Sequence, residues 1–205
     1  LVESERVNVE SVVLAARRWG RELDEDDRRF IVGHSWNEIH ARICAKHDLH
    51  VSMSTMIAAA VDEKKALVER DGLPALPGAH ALVRRLAARV PLAIVTGSSR
   101  VEAHEAVRIL GLESAFKLVL AAEDYGKGKP DPEPYATAVA RFGVKAERCI
   151  VVEDATPGIL SARAAGAKVI GVRAGNFVGY DLSPAHVVVD TLEQVTDDLI
   201  GRLVD

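Results

Sequence analysis

The chain reads as an α/β protein, a doubly wound parallel sheet with a small helical domain ahead of it, and three observations predict this. Short β-branched runs alternate with amphipathic helices in the C-terminal two thirds of the chain. Residues 5 to 72 carry helical periodicity without a strand of conviction. Between the two textures stand Gly72, Pro74, Pro77 and Gly78, the punctuation expected of a boundary. Strands separated by helices imply a parallel sheet covered on both faces by crossover helices.

The elements follow in order. Glu3 to Arg18 places Val9, Val12, Val13 and Ala16 on one helical face, with Gly20 as its stop. A charged stretch from Asp24 to Arg29 gives way to Phe30, Ile31 and Val32, then breaks at Gly33. Ser35 and Glu38 have capping-box spacing for a helix over Trp36 to His47, with Trp36, Ile39 and Ile43 on a common side. The helix from Ser52 to about Arg70 carries Met53, Ile57, Ala60, Val61 and Leu67. Gly78 to Arg89 is helical, and Leu92 to Val95 is a strand ending at Thr96, Gly97, Ser98 and Ser99. Ser99 and Glu102 cap a helix that Gly111 ends. A strand over Leu118 to Ala121 leads into the loop Glu123 to Asp131, and Pro132 and Pro134 open a helix that stops at Gly143. Cys149 to Val152 is a strand, Thr156 and Pro157 cap and open the helix to Ala165, and Lys168 to Val172 is a strand. His186 to Val189 is a last short strand, and Thr191 caps a closing helix through Leu192, Val195, Leu199 and Leu203.

Bulk properties narrow the function classes. At 205 residues, 48% of them apolar, the chain can bury one full core and a smaller satellite. Its net charge of −4 comes from interspersed charges, so neither a nucleic-acid nor an anionic membrane partner is expected. Cys44 and Cys149 are isolated, which fits reduced, buried thiols and a cytoplasmic location. No apolar run is long enough to span a membrane.

In a parallel sheet every strand points its carboxyl end to the same edge, so the loops after Val95, Ala121 and Val152 converge there. The first offers the hydroxyls of Thr96 and Ser98, a flexible Gly97 and free N–H groups at a helix start, all suited to phosphate. The second offers Lys127 and Lys129, the latter stiffened by Pro130 and Pro132; lysine suits both a phosphoryl oxygen and a carboxylate. The third offers Glu153 and Asp154, adjacent like charges that call for a cation, with Mg²⁺ the natural choice. Taken singly, each loop is also ordinary solvated turn chemistry.

Together, these stretches resemble the haloacid dehalogenase superfamily of aspartate-nucleophile phosphatases, in the branch with a helical cap near the N-terminus. Ile94 to Ser99 looks like its second motif, Gly128, Lys129, Pro130, Asp131 and Pro132 its third, and Val151 to Ile159 its fourth. The resemblance implies a Rossmann-like core over residues 76–205, a cap over 6–75, and residues 1–5 as the remnant of a first motif. It implies that Thr96 holds the transferring phosphoryl group, Lys129 neutralises it, and Asp154 with Glu153 holds Mg²⁺. Adjacent strand residues point to opposite faces, so Asp154 ranks above Glu153.

Leu1, Val2, Glu3, Ser4 and Glu5 match only the tail of the family's first motif, whose nucleophilic and acid/base aspartates would stand just upstream. The expectation is that the native frame extends upstream through a strand bearing both. The chain by itself is then expected to be inactive, with the neighbours of a central strand uncovered. The competing reading is a relative that binds phosphate esters without turnover. Gly33, His34, Ser35 and Trp36 occupy the family's substrate-reading cap loop, where His34 and Trp36 are suited to stack on or bond to a sugar-like body. Phosphoglucomutase-like relatives use a basic residue there; Asn37 and Glu38 supply none, which favours hydrolysis of a small phosphorylated metabolite over phosphotransfer.

Overall fold

The computed structural model describes residues 1–204. Two compact units form: one from residues 3–74, the other from residues 1–2 together with the chain from 75 onward.

The first unit is helical. Helices α1 (Ser4–Arg17), α2 (Glu25–Ile31), α3 (Trp36–His47) and α4 (Met53–Asp71) enclose a core of Val12, Val13, Ile31, Ile39, Ile43 and Met56. Capping boxes start α2 at Asp24/Asp27 and α3 at Ser35/Glu38, and Ser52 caps α4. The inward face of α4 meets expectation at Ala60 and Leu67 and differs elsewhere. Met56, Ala59, Ala60 and Leu67 are buried, whereas Met53 and Val61 lie on the exposed side. Alanines at 15, 16, 59 and 60 explain this, since small side chains let α1 and α4 approach closely.

Asp27 is the buried charge of this unit, with no exposed side-chain surface. Its carboxylate accepts bonds from Lys46 Nζ at 2.9 Å, His47 Nε2 at 2.7 Å and the Asp24 N–H at 3.1 Å. Burial pushes the carboxyl up, the Lys46 and His47 bonds pull it down, and the bonds prevail, holding it below its ordinary value.

The second unit is α/β. Strands β1 (Leu92–Val95) and β2 (Phe116–Leu120) form one parallel sheet; β3 (Ile150–Glu153), β4 (Lys168–Val172) and β5 (Val187–Val189) form another in that order. Expected as one sheet, the strands thus divide between β1 and β3, whose remaining edges have no strand partner among the described residues. The consequence shows in burial: β4 is covered on both faces, while β1 and β3 are half-buried and Val152 is exposed.

Helices α5 (Ala79–Ala87) and α9 (Asp197–Val204) cover one face, where Leu82, Leu199 and Leu203 meet Ile170 and Val172. Helices α7 (Glu133–Phe142) and α8 (Thr156–Ala164) cover the other, where Tyr135, Ile159 and Ala162 meet Val169. Helix α6 (Arg100–Ile109) packs Val107 beside Ile94 and Phe116. Fully burying Val169 and Ile170 stabilises the sheet by about 2 kcal/mol each.

Three local expectations change. Thr156 is the first helical residue rather than the cap, and its hydroxyl donates to the Asp181 carbonyl at 2.7 Å. The closing helix is split: Leu192–Gln194 is a 3₁₀ turn, and α9 starts only at Asp197. Cys44 and Cys149 are free thiols, half-buried rather than buried.

Candidate active site

Lys129 is the hub of the edge where β1, β2 and β3 end. It lies in the β2–α7 loop ahead of a cis bond to Pro130, and its side chain is 19% exposed. Its ammonium donates to the Val95 carbonyl at the end of β1 at 3.0 Å and to Glu153 Oε1 at the end of β3 at 2.5 Å. One lysine thereby ties together the ends of strands belonging to two sheets. Lys127, the other basic candidate, is three-quarters exposed and pairs only with Asp131 at 3.7 Å.

Glu153 is the last residue of β3, in register with Gly171, and its side chain is 10% exposed. Oε1 takes the bonds from Lys129 and from the Tyr135 hydroxyl, and Oε2 takes the Asp154 N–H at 3.3 Å. Its carboxylate fits this place because residue 158 is glycine: a Cβ there would overlap the carboxylate atoms. Glu153, expected as a second metal ligand beside Asp154, pairs here with Lys129.

Asp154 stands one residue past the strand, packed against Gly175, where a Cβ would overlap its carboxylate as well. Burial first, and Glu153's charge second, raise its pKa above the ordinary 3.8. A cation is therefore electrostatically welcome beside Asp154. No cage of three or more His, Cys, Asp or Glu side chains forms among the described residues. The donor set suits a hard ion such as Mg²⁺, which keeps several waters and takes one or two protein carboxylates.

Thr96 continues the β1 ladder through its N–H to the Leu120 carbonyl at 2.9 Å, and its hydroxyl accepts the Ser98 N–H at 3.1 Å. Gly97 is open, with nothing within 4 Å of where a Cβ would stand. The helix start beyond it is less free than expected. Ser99 N–H and Glu102 N–H are consumed by the capping box, and Arg100 N–H donates to both oxygens of Glu123 at 3.1 and 3.0 Å. A side-chain carboxylate from the β2–α7 loop already occupies the α6 N-terminus. What remains for a ligand is the Thr96 and Ser98 hydroxyls with the Gly97 backbone.

Two tyrosines join the site that the sequence reading left out. Tyr125 donates from its hydroxyl to the Thr96 carbonyl at 2.5 Å and so ties the β2–α7 loop to the β1–α6 loop. Tyr135, on α7, lies beneath Lys129 with the ammonium 4.9 Å from its ring centroid. Burial, and then the Glu153 charge, push its phenol well above the ordinary value, so the hydroxyl stays a donor. The available signal was Tyr135's place on the inward face of α7: a buried tyrosine needs a partner for its hydroxyl.

His34, Ser35 and Trp36 belong to the helical unit. Ser35 spends its hydroxyl on the Glu38 capping box, and Trp36 is half-buried against the unit's core. His34 is exposed, with its ring stacked on Phe30 at 3.8 Å between centroids, and Phe30 also carries the Arg42 guanidinium at 4.4 Å.

Comparison with known proteins gives the same family by three routes. The sequence profile of the haloacid dehalogenase-like hydrolases matches residues 1–172. A validoxylamine A 7′-phosphate phosphatase of Streptomyces hygroscopicus subsp. limoneus is 34% identical, across 98% of this chain and 93% of that protein. Hexitol phosphatase A of Escherichia coli is 40% identical over 62% of this chain and 59% of its own length. Among solved structures, a haloacid dehalogenase family hydrolase of Deinococcus radiodurans, crystallised with bound phosphate and sodium, superposes with a TM-score of 0.81 at 26% identity, covering 98% of this chain and 91% of its own.

Proposed function

This chain belongs to the haloacid dehalogenase-like hydrolase family, and from that premise we propose that it hydrolyses phosphate monoesters of small, polyhydroxylated metabolites. The observation that carries the reading is the Lys129 ammonium. An ammonium has three N–H donors; two are fixed on Val95 and Glu153, and the third is left for a phosphoryl oxygen. The Thr96 hydroxyl serves a second phosphoryl oxygen on the same edge. Glu153 orients Lys129, and Asp154 is the carboxylate offered to Mg²⁺. Bound there, Mg²⁺ supplies neutralisation of the phosphoryl charge. The attacking carboxylate in this reading is the nucleophilic aspartate of the family's first motif, giving an aspartyl phosphate. The substrates in the relatives' names, a phosphorylated pseudo-sugar and a hexitol phosphate, support a polyhydroxylated leaving group.

The test is Mg²⁺-dependent release of inorganic phosphate from p-nitrophenyl phosphate and from hexitol phosphates by the full-length gene product. EDTA and Asp154→Asn abolish turnover, and Lys129→Ala lowers kcat by roughly 100-fold or more, as for loss of a transition-state donor. Metal-independent turnover, or full activity in Asp154→Asn, overturns the assignment.

A further inference from the structure

We infer that Tyr135 is a positioning residue for phosphoryl transfer: its ring and hydroxyl together hold the Glu153–Lys129 pair so that the free N–H of Lys129 points to one place. The inference rests on the function proposed above and goes beyond it to a residue with no role in that scheme. Three geometrical facts support it.

The first is that the two donors meet at a single atom. Lys129 Nζ and the Tyr135 hydroxyl both bond to Glu153 Oε1. A glutamate side chain at the end of a strand has freedom about its terminal bonds. With Oε1 gripped from two directions and Oε2 held by the Asp154 N–H, that freedom is gone. The second is the ring, which lies under the ammonium at 4.9 Å and attracts it to the same side as Glu153. The third is burial: Tyr135 is 6% exposed, so no water stands ready to replace its hydroxyl at Oε1.

Removing the hydroxyl alone therefore leaves one oxygen of a nearly buried carboxylate bonded to Lys129 only. The carboxylate can then turn about its terminal bond, the ammonium follows it, and the third N–H loses its fixed direction. A loss of this kind falls on the transition state, where phosphoryl charge is to be met, more than on ground-state binding.

The experiment compares wild type, Tyr135→Phe, Tyr135→Leu, Lys129→Ala and the Tyr135→Phe/Lys129→Ala double variant of the full-length protein, with p-nitrophenyl phosphate as substrate and orthovanadate as inhibitor. Tyr135→Phe keeps the ring and its volume; it is expected to fold, to lower kcat about tenfold with KM within twofold, and to weaken vanadate inhibition by a similar factor. Tyr135→Leu removes the ring as well and lowers kcat further. In the Lys129→Ala background the Tyr135→Phe change is expected to cost nothing more, because Tyr135 acts through Lys129. If Tyr135→Phe matches wild type in kcat and vanadate inhibition, or if the two losses multiply, the positioning role is overturned while the phosphatase reading stands. If wild type itself releases no phosphate, both fall together.

Discussion

Position 158 is the clearest case of a residue acting by what it lacks. Gly158 lies in the first turn of α8, where alanine would ordinarily favour the helix by about 1 kcal/mol. A Cβ there overlaps the Glu153 carboxylate, which cannot swing aside without releasing Lys129, Tyr135 and the Asp154 amide. Breaking a buried ion pair costs about 3 kcal/mol or more, so the balance runs against the helix preference. Gly158→Ala is therefore expected to lose roughly 2 kcal/mol of stability and at least tenfold in kcat. Denaturant melts and steady-state kinetics check both; a stabilised, fully active variant would contradict the cradle. Gly97 is a useful contrast, since a Cβ there meets nothing.

Among the elements, α2 shows how a short helix holds its place. Seven residues make a weak helix in isolation, even with three acids favourably placed in the first turn. It is anchored by Asp27, whose carboxylate reaches Lys46 and His47 at the end of α3 while closing the capping box with Asp24. Replacing Asp27 by Asn removes the buried acceptor of the Lys46 and His47 bonds, while Lys46 keeps its pair with Asp24, and is expected to cost about 2 kcal/mol at neutral pH. The pH dependence has a definite sign. Asp27's folded pKa lies below its ordinary 3.8, so its contribution is complete above that value and is lost as pH falls through the lower, folded value. Acid titration of stability should accordingly bring wild type and Asp27→Asn together at low pH; a constant gap down to full unfolding would count against the network. Two capping boxes were legible in the sequence, Ser35 with Glu38 and Ser99 with Glu102, whereas Thr156 falls inside its helix and Thr191 makes no side-chain capping bond. The inward face of α4 was legible only in part: Ala60 and Leu67 are buried as expected, but Met56 and Ala59 turn inward rather than Met53 and Val61, and only the fit against α1 decides between them.

At the scale of the molecule, the site was legible as an ordered set of loops, because parallel strands must deliver their ends to one edge. Lys129 and Glu153 do meet there, although separated by 24 residues in sequence. The pairing within the set was hidden. Glu123 filling the α6 start and Glu153 serving Lys129 depend on reach across loops, which spacing along the chain does not encode. The division of the strands into two sheets was likewise invisible to periodicity, since each strand carries the same apolar signature either way. A bound cation should stabilise the whole unit by mass action, by about 2.7 kcal/mol at a hundredfold excess over Kd. Thermal melts against Mg²⁺ concentration are expected to rise for wild type and stay flat for Asp154→Asn; equal shifts in both would place the ion elsewhere.

Gly175 binds two positions into one inheritance. The Asp154 carboxylate lies where a side chain at 175 would begin, so the two sites cannot drift separately. A descendant of this chain is free to vary the loop after β4 on its outer side, yet any side chain at 175 displaces the Asp154 carboxylate for as long as 154 remains Asp. A lineage that shortens residue 154 releases both constraints in one step, and a side chain at 175 would then be the trace of that change.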